Sequence, residues 1–164
     1  MRSMHALIVS DIDGVIADCK HRLPLLKEKK YDEFYSLVGE DSLISTGYLL
    51  LDIFDCYPDT KIVFLTGRRE SSRKDTMAWL RKNEIHRLGA FDAVFMRDDT
   101  DHRPSEELKP ELFEEILKMY QARGFEFDSI YYIDDDPENV KGICDKFSQV
   151  QGVVFGLKRI QERR

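Results

Sequence analysis

The segment IVSDIDG, residues 8–14, is the part of the sequence that decides the fold. An apolar run leads into Asp11, and because side chains alternate along an extended backbone, Asp11 and Asp13 point to the same side of it. Gly14 permits the sharp turn that follows. The segment therefore predicts a buried strand that ends in two neighbouring carboxylates, which repel each other unless a cation or a shared proton relieves the repulsion.

Four further apolar runs repeat the pattern, each bounded by polar or turn residues: IVFLT, AVFM, IYYI and VVF. Between the runs lie amphipathic stretches of helical length, at about 45–56, 70–83, 110–122 and 137–147. Alternating strands and helices are typical of a parallel sheet with helices on both faces, in which ligands bind beyond the carboxyl ends of the strands. We therefore expect an α/β fold, a three-layer α/β/α sandwich around a mainly parallel, Rossmann-like sheet.

Length and composition favour one soluble domain. The chain has 164 residues, of which 42% are hydrophobic and 34% charged, and no apolar run approaches the roughly 20 residues that a membrane span requires. The N-terminus lacks the cleavage pattern of a signal peptide, and three widely spaced cysteines fit neither a disulfide framework nor a zinc site. We expect one domain over residues 1–164 in the cytoplasm, with no membrane anchor.

Residues 18–44 interrupt the alternation of strands and helices. This stretch has no clean strand signal, and its second half, YDEFYSLV, places apolar residues at helical intervals. We interpret about 18–44 as a small flap or cap-like insertion.

Other predicted strands also end in groups suited to phosphate chemistry. After the second strand come Thr66, Gly67 and Arg68, which offer a hydroxyl, a backbone that an anion can approach, and a guanidinium. After the fourth strand comes Asp134-Asp135-Asp136, and carboxylates reached from two strands are what a hard cation such as Mg²⁺ requires. Lys109, near the start of the third predicted helix, could neutralise carboxylate and phosphoryl oxygens.

Each of these motifs alone has a structural interpretation as good as the functional one. D-x-D arises by chance, TGR could form a turn, and DDD before Pro137 could cap a helix. Their order and their common place at strand ends favour one phosphate-handling site, because charges at the ends of buried strands are costly without partners. The formal net charge of -6 argues mildly against a protein that coats nucleic acid non-specifically.

The chain resembles the haloacid dehalogenase superfamily of phosphotransferases through four motifs in order: IVSDIDGVIAD, FLTGR, Lys109 and YYIDDDPENV. Within that superfamily it is most similar to the 3′-phosphatase domain of phage-type polynucleotide kinase-phosphatases. Three further features carry this similarity: HRLPLL, TGRRE followed by a helix with Trp79, and FMRDDTDHRPSEELKPELFEEIL. The kinase motif GxxxxGK[ST] does not occur in this sequence.

The resemblance implies a small or absent cap and a magnesium-dependent mechanism. Asp11 would be the nucleophile that forms an aspartyl-phosphate, and Asp13 the acid that protonates the leaving alcohol and then the base that activates water. Mg²⁺ would be held by Asp11, the backbone carbonyl of Asp13 and the pair Asp134 and Asp135, with Asp135 favoured for the closer contact.

The resemblance also implies how substrate would be held. Thr66 and the Gly67 N–H would bind phosphoryl oxygens while Lys109 offsets their charge. Arg68, Arg97 and Arg103 match basic positions suited to the substrate's phosphate or its neighbour, although surface ion pairs explain such arginines equally well for Arg97. Asp136 departs from the pattern, since a basic or polar residue is often seen at that position.

Three functions follow as hypotheses. The first is a phosphatase acting on the 3′-phosphate end of DNA or RNA, and the second is a phosphatase for small, nucleotide-like phosphoesters. The third, from a different class, is a non-catalytic domain that binds a separate kinase or ligase. The sequence leaves open the preference between DNA and RNA and the oligomeric state.

Overall fold

A five-stranded parallel sheet forms the centre of the protein, whose computed structural model describes residues 5–88 and 94–156. The strands of these ranges are β1 (Ala6–Ser10), β2 (Ala17–Asp18), β3 (Ser42–Leu43), β4 (Lys61–Arg69), β5 (Val94–Arg97), β6 (Ser129–Asp134) and β7 (Val150–Val154). The central sheet has the order β5-β4-β1-β6-β7 with every neighbouring pair parallel, and β2 and β3 form a separate antiparallel pair. The predicted five-stranded α/β sheet is confirmed.

Helices cover both faces of the sheet. The helices of the described ranges are α1 (Leu23–Lys27), α2 (Tyr31–Ser36), α3 (Thr46–Cys56), α4 (Arg73–Lys82), α5 (Ser105–Ala122) and α6 (Pro137–Lys146). A hydrophobic core lies on each face of the sheet, and alternate side chains of β1 pack into one core or the other. Ile8 packs with residues of α3 and α4, whereas Leu7 and Val9 pack with residues of α5 and α6. This arrangement is the predicted three-layer sandwich.

The helix α5 begins earlier than the sequence pattern indicates, at Ser105 instead of Pro110. A proline is favoured at a first helical position, but here Pro110 lies inside the helix, where it cannot donate to the carbonyl of Glu106 four residues before it. That carbonyl faces α6, and a Cβ added at Gly142 would stand 3.3 Å from it. As a result Lys109 lies in the second turn of α5 and not ahead of the helix.

Residues 18–44 hold two short α-helices, α1 and α2, which lie in the sequence between the paired strands β2 and β3. Antiparallel pairing of Ala17 with Leu43 and of Asp18 with Ser42 closes the base of this segment, and Phe34 of α2 is buried. Within the described ranges, no helix is long and apolar enough to cross a membrane.

Candidate active site

The carboxyl ends of the neighbouring strands β1, β4 and β6 border a cleft of ≈ 520 Å³. Parallel strands bring their ends to one edge of a sheet, so residues far apart in the sequence meet there. Six of the predicted site residues line the cleft: Asp11, Asp13, Gly67, Arg97, Lys109 and Asp135. The structure therefore brings together residues of all four sequence motifs.

One side of the cleft is a cluster of carboxylates around one lysine. The Lys109 ammonium lies 3.0 Å from Oδ2 of Asp11 and 2.6 Å from Oδ2 of Asp134. Asp11, Asp134 and Asp135 each offer an oxygen, and these oxygens lie within 4.8 Å of one another. Three carboxylates share one ammonium group, which leaves an excess of negative charge at this position.

The pKa values on this side reflect that excess. Burial raises the pKa of Asp11 well above its ordinary value; Lys109 only partly offsets this, and repulsion from Asp134 adds to it. Loss of hydration and the Asp134 carboxylate raise the pKa of Asp135 to about 6. The ionised form of both groups would be favoured by an additional cation, which fits a divalent metal site.

Asp134 and Asp135 differ in what they can reach. Asp134 is fully buried and accepts hydrogen bonds from the Tyr132 hydroxyl, from Nδ2 of Asn139 at 3.1 Å and from the backbone N–H of Asp136. Although burial opposes it, Lys109 and these donors hold the pKa of Asp134 below its ordinary value. Asp135 lines the cleft with an exposed side chain, so of the two it has the more accessible carboxylate.

Gly14 fixes the place of Asp135. Its φ of +80° belongs to the left-handed region that favours glycine, as expected for the turn after β1. In addition, a Cβ at this position would meet Oδ2 of Asp135 at 2.2 Å. Only a residue without a side chain lets the Asp135 carboxylate pack over this turn.

The other side of the cleft surrounds Asp13 with arginines. Oδ1 of Asp13 accepts from Nη2 of Arg22 at 2.7 Å and from Nη2 of Arg68 at 2.6 Å. Although burial opposes it, Arg68 and then Arg22 hold the pKa of Asp13 below its ordinary value. Asp13 is thus paired with two cations that are not shared with Asp11.

Asp41 joins the two arginines beneath Asp13. Its buried carboxylate accepts from Arg22 Nε at 2.8 Å and Arg68 Nη2 at 2.8 Å, and from the His21 ring at 2.8 Å. The indole N–H of Trp79 donates to the Asp41 backbone carbonyl at 2.7 Å. Asp41 therefore fixes both guanidinium groups, which in turn fix the Asp13 carboxylate.

The TGR motif belongs to a strand and does not form a turn. β4 continues to Arg69, where it pairs with Arg97 of β5 after an irregularity in register that begins at Leu65. The backbone carbonyl of Gly67 accepts from Nε of Arg97 at 3.2 Å. Thr66 is fully buried within β4, and its hydroxyl accepts from the Arg68 N–H at 3.2 Å.

The three arginines predicted to contact substrate lie in different environments. Arg68 is 1% exposed, and its guanidinium faces Asp13, Asp41 and Thr76, so it lies in the protein's own network and not in the open cleft. Arg103 is exposed at the rim and paired with Asp101 and Glu111.

Arg97 differs from both, because it lines the cleft while its guanidinium donates mainly to neutral oxygens. These oxygens are the carbonyls of Gly67, Asp101 and Arg103 and the hydroxyl of Ser105. Its nearest carboxylate contact, to Asp101, is 3.9 Å long. Arg97 is therefore the predicted arginine best placed to attract an anion in the cleft.

Four residues of the site received no role from the sequence: Arg22, Asp41, Tyr132 and Asn139. Tyr132 and Asn139 flank the triple aspartate within YYIDDDPENV, and their closeness to it was the available signal. Arg22 lies within the HRLPLL segment, whereas nothing in the sequence around Asp41 marks it as a partner of Arg22 and Arg68. Asp136, the third aspartate, caps α6 by accepting from the Glu138 N–H at 2.9 Å.

The family described as the polynucleotide kinase PNKP phosphatase domain matches residues 5–141. None of the curated proteins matches the chain at a significant level.

Solved structures share the fold at low sequence identity. A chain of the Pnkp1/Rnl/Hen1 complex has 22% identity and a TM-score of 0.68 over 94% of this chain and 47% of that one. A haloacid dehalogenase-like hydrolase from Streptococcus pneumoniae has 14% identity and a TM-score of 0.61, covering 94% of this chain and 85% of that one. The class C acid phosphatase from Bacillus anthracis, with tungstate bound, has 12% identity and a TM-score of 0.58 over 96% and 68%. The present chain thus spans about half the length of its match in the Pnkp1/Rnl/Hen1 complex.

Proposed function

Since the chain belongs to the family of PNKP-type phosphatase domains within the haloacid dehalogenase superfamily, we propose that it removes 3′-phosphate groups from polynucleotide ends, using Mg²⁺ and an aspartyl-phosphate intermediate. The observation that carries the proposal is the meeting of Asp11, Lys109, Asp134 and Asp135 in one cleft.

In the first step Asp11 attacks phosphorus in line with the departing oxygen. A bond forms from an Asp11 oxygen to phosphorus, the bond from phosphorus to the alcohol oxygen breaks, and the proton of Asp13 passes to that oxygen. Lys109, at 3.0 Å from Asp11, offsets the charge that develops on the phosphoryl oxygens.

In the second step Asp13 acts as a base. It takes a proton from water, and the water oxygen bonds to phosphorus. The bond from phosphorus to the Asp11 oxygen breaks, which releases inorganic phosphate and restores the Asp11 carboxylate. The arginine pair that lowers the pKa of Asp13 favours the ionised form that this step needs and disfavours the protonated form that the first step needs. Arg22, Arg68 and Asp41 are positioning residues in this scheme, because they act through Asp13.

A divalent cation would be held by Asp11, Asp135 and Asp134, together with the backbone carbonyl of Asp13. The three carboxylates fit Mg²⁺ for two reasons. They offer the hard oxygen ligands that this ion prefers, and the single charge of Lys109 does not balance their negative charge. When bound, the cation would neutralise phosphoryl charge and orient the phosphate toward Asp11. Thr66, the Gly67 N–H and Arg97 would complete the phosphate site, and Arg103 would serve the neighbouring part of the substrate.

The polynucleotide end is proposed as substrate for two reasons. The family match is to the phosphatase domain of a polynucleotide kinase, and the segment 18–44 holds only two short α-helices, which is a small cover for the cleft. The fold is shared with a chain of the Pnkp1/Rnl/Hen1 complex, which is described as an RNA repair complex, and this likeness supports a separate kinase or ligase as partner. We place the reaction in the cytoplasm, since Cys19, Cys56 and Cys144 are free thiols.

A second candidate is a phosphatase of small, nucleotide-like phosphoesters. The net charge of -6 favours it, because an acidic protein does not attract a long polyanion. A non-catalytic binding domain is the third candidate.

A comparison of substrates tests these functions. With Mg²⁺, kcat/KM for a 3′-phosphorylated oligonucleotide should exceed that for a nucleoside 3′-monophosphate by about tenfold or more, since neighbouring phosphates and bases add contacts. Equal values would reject the polynucleotide substrate and favour the small-molecule phosphatase. A folded protein with no activity on any of these phosphoesters in Mg²⁺ would favour the binding domain.

A further inference from the structure

A second cavity of ≈ 270 Å³ lies beside the catalytic cleft and contains none of the proposed reacting groups. Tyr35 and Arg97 line both cavities, so the two adjoin at these side chains. The remaining lining residues are Tyr31, Arg69, Asp101, His102 and Arg103. The cavity is just below the roughly 300–1,000 Å³ of ordinary ligand pockets, which suits one nucleotide unit.

Arg69 lines the second cavity together with two aromatic rings of the flap helix α2. Its guanidinium carbon is 5.4 Å from the ring centre of Tyr31 and 5.3 Å from that of Tyr35. These distances are within the range of cation–π attraction, which holds the guanidinium without neutralising it.

The charge of Arg69 is weakly compensated. Among the described residues, its salt-bridge partner is Asp32, 3.6 Å away with a fully exposed side chain, where solvent screens the attraction. The neighbouring Arg97 donates mainly to neutral oxygens. Three arginines thus line one small cavity together with Asp101. Arg103 is paired with Asp101 and Glu111, whereas Arg69 and Arg97 keep positive charge that is complementary to a phosphodiester.

Tyr31 supplies an aromatic surface at the same place. Tyr31 is 42% exposed, although large aromatic side chains are usually covered by other residues for most of their surface. Tyr35 is anchored, because its hydroxyl donates to the Gly67 carbonyl at 3.4 Å. A base can therefore stack on the exposed Tyr31 ring, whose helix is bonded to β4 through Tyr35 and Gly67.

We propose that the second cavity binds the nucleotide that precedes the 3′-phosphorylated terminal nucleotide of the substrate. Its base would stack on Tyr31, and its phosphodiester would lie at Arg69. This inference rests on the proposed function and deepens it. It makes the flap a part of the substrate site, one that selects a single-stranded polynucleotide end over a mononucleotide.

The test compares Arg69→Ala and Tyr31→Ala with two matched controls. Arg87→Ala removes an exposed arginine that is paired with Asp55, and Tyr57→Ala removes an exposed tyrosine that follows α3. Tyr57 follows α3 and precedes β4, and Arg87 pairs with Asp55 in the last turn of α3. Both controls therefore lie toward the amino end of β4, whereas the cleft lies at its carboxyl end. Each variant is measured on a 3′-phosphorylated single-stranded oligonucleotide, on the same oligonucleotide with an abasic adjacent unit, and on p-nitrophenyl phosphate.

For each variant the readout is the ratio of kcat/KM for the oligonucleotide to kcat/KM for p-nitrophenyl phosphate. Arg69→Ala and Tyr31→Ala should lower this ratio about tenfold, and the controls should leave it unchanged. The Tyr31→Ala effect should disappear on the abasic substrate, whereas the Arg69→Ala effect should persist. Arg69→Ala should also make the salt dependence of oligonucleotide KM shallower by about one counterion.

Two failures are distinguishable. If the wild type prefers the oligonucleotide and both variants keep that preference, the second cavity is not the subsite, while the proposed function stands. If the wild type itself shows no preference over a nucleoside 3′-monophosphate, the polynucleotide function fails and this inference falls with it.

Discussion

Asp11 and Asp13 are two residues apart on one strand end, yet they lie in opposite electrostatic surroundings. Asp11 faces Lys109 together with two further carboxylates, and its pKa is raised. Asp13 faces two arginines, and its pKa is lowered. The two carboxyl groups share a residue type and a strand, so their partners from other elements decide which one needs a cation and which one is already paired.

The largest expected effects separate the two aspartates directly. Asp11→Asn should lower kcat by at least about 10⁴-fold, because an amide does not replace a carboxylate nucleophile. Asp13→Asn should lower kcat on an oligonucleotide by about 10²- to 10⁴-fold, the usual contribution of general acid–base catalysis. Rapid-quench assays with p-nitrophenyl phosphate, whose leaving group needs no proton, should detect phosphorylated protein in Asp13→Asn and none in Asp11→Asn. A phosphorylated Asp11→Asn protein would contradict the assignment.

A smaller effect should follow from Asp41→Asn, which disturbs the arginine side alone. We expect kcat to fall about 10- to 100-fold, the scale for groups that orient catalytic residues, while the apparent Mg²⁺ affinity changes less than about twofold. Steady-state kinetics at varied Mg²⁺ measures both quantities, and thermal unfolding checks that the variant is folded. His21→Ala is the matched control, because it removes one partner of Asp41 and leaves both arginines. If Asp41→Asn lost Mg²⁺ affinity and kept a normal kcat, Asp41 would support the metal site and not Asp13, which would contradict this prediction.

On the carboxylate side, Mg²⁺ binding should depend on pH. The pKa of Asp135 is raised to about 6, so its protonated fraction grows as pH falls through that value, and a protonated carboxyl is a poor ligand. Apparent Mg²⁺ affinity should therefore fall by up to about tenfold per pH unit below about pH 6 and level off above about pH 7. Calorimetric titration measures this, and Asp135→Asn should bind more weakly with a flatter profile. An affinity that is constant between about pH 5 and 7 would exclude Asp135 as a ligand.

The smallest expected effect compares two glycines with the same backbone conformation. Gly14 and Gly124 have φ of +80° and +79°, so alanine at either position should cost about 1–2 kcal/mol of stability. Only at Gly14 does a Cβ meet Asp135, whereas nothing lies within 4 Å at Gly124. Gly14→Ala should therefore also weaken Mg²⁺ binding, by about tenfold, and Gly124→Ala should not. Thermal unfolding and Mg²⁺ titration of both variants check this, and equal Mg²⁺ affinities would contradict it.

The fold was accessible from the sequence because its signals are local. Apolar runs bounded by polar residues marked the five central strands, and alternation along β1 placed Asp11 and Asp13 together. The start of α5 was predicted five residues too late, because the pattern favoured Pro110 as a first position although the helix accommodates it internally.

The site was only half accessible, for a physical reason. Carboxylates at strand ends are visible in the sequence, whereas the pairing of Arg22 with both Asp13 and Asp41 depends on how the segment 18–44 folds back. Arg68 shows the same limit, since a guanidinium suited to phosphate is equally suited to an internal carboxylate. Local patterns specify which charges are present, and tertiary folding specifies which charges meet.

The flap contributes its two network residues at its ends, Arg22 before α1 and Asp41 after α2. Both ends are thus bonded to the charge network around Asp13, while the helices between them line the two cavities. The segment is therefore modular in a restricted sense: residues 23–40 could be exchanged for a loop of different size, and substrate range altered, as long as the two anchoring charges stay. Removal of the whole segment would instead take Arg22 and Asp41 away from Asp13. On the proposed function, the substrate range can therefore change while the residues around Asp13 stay the same.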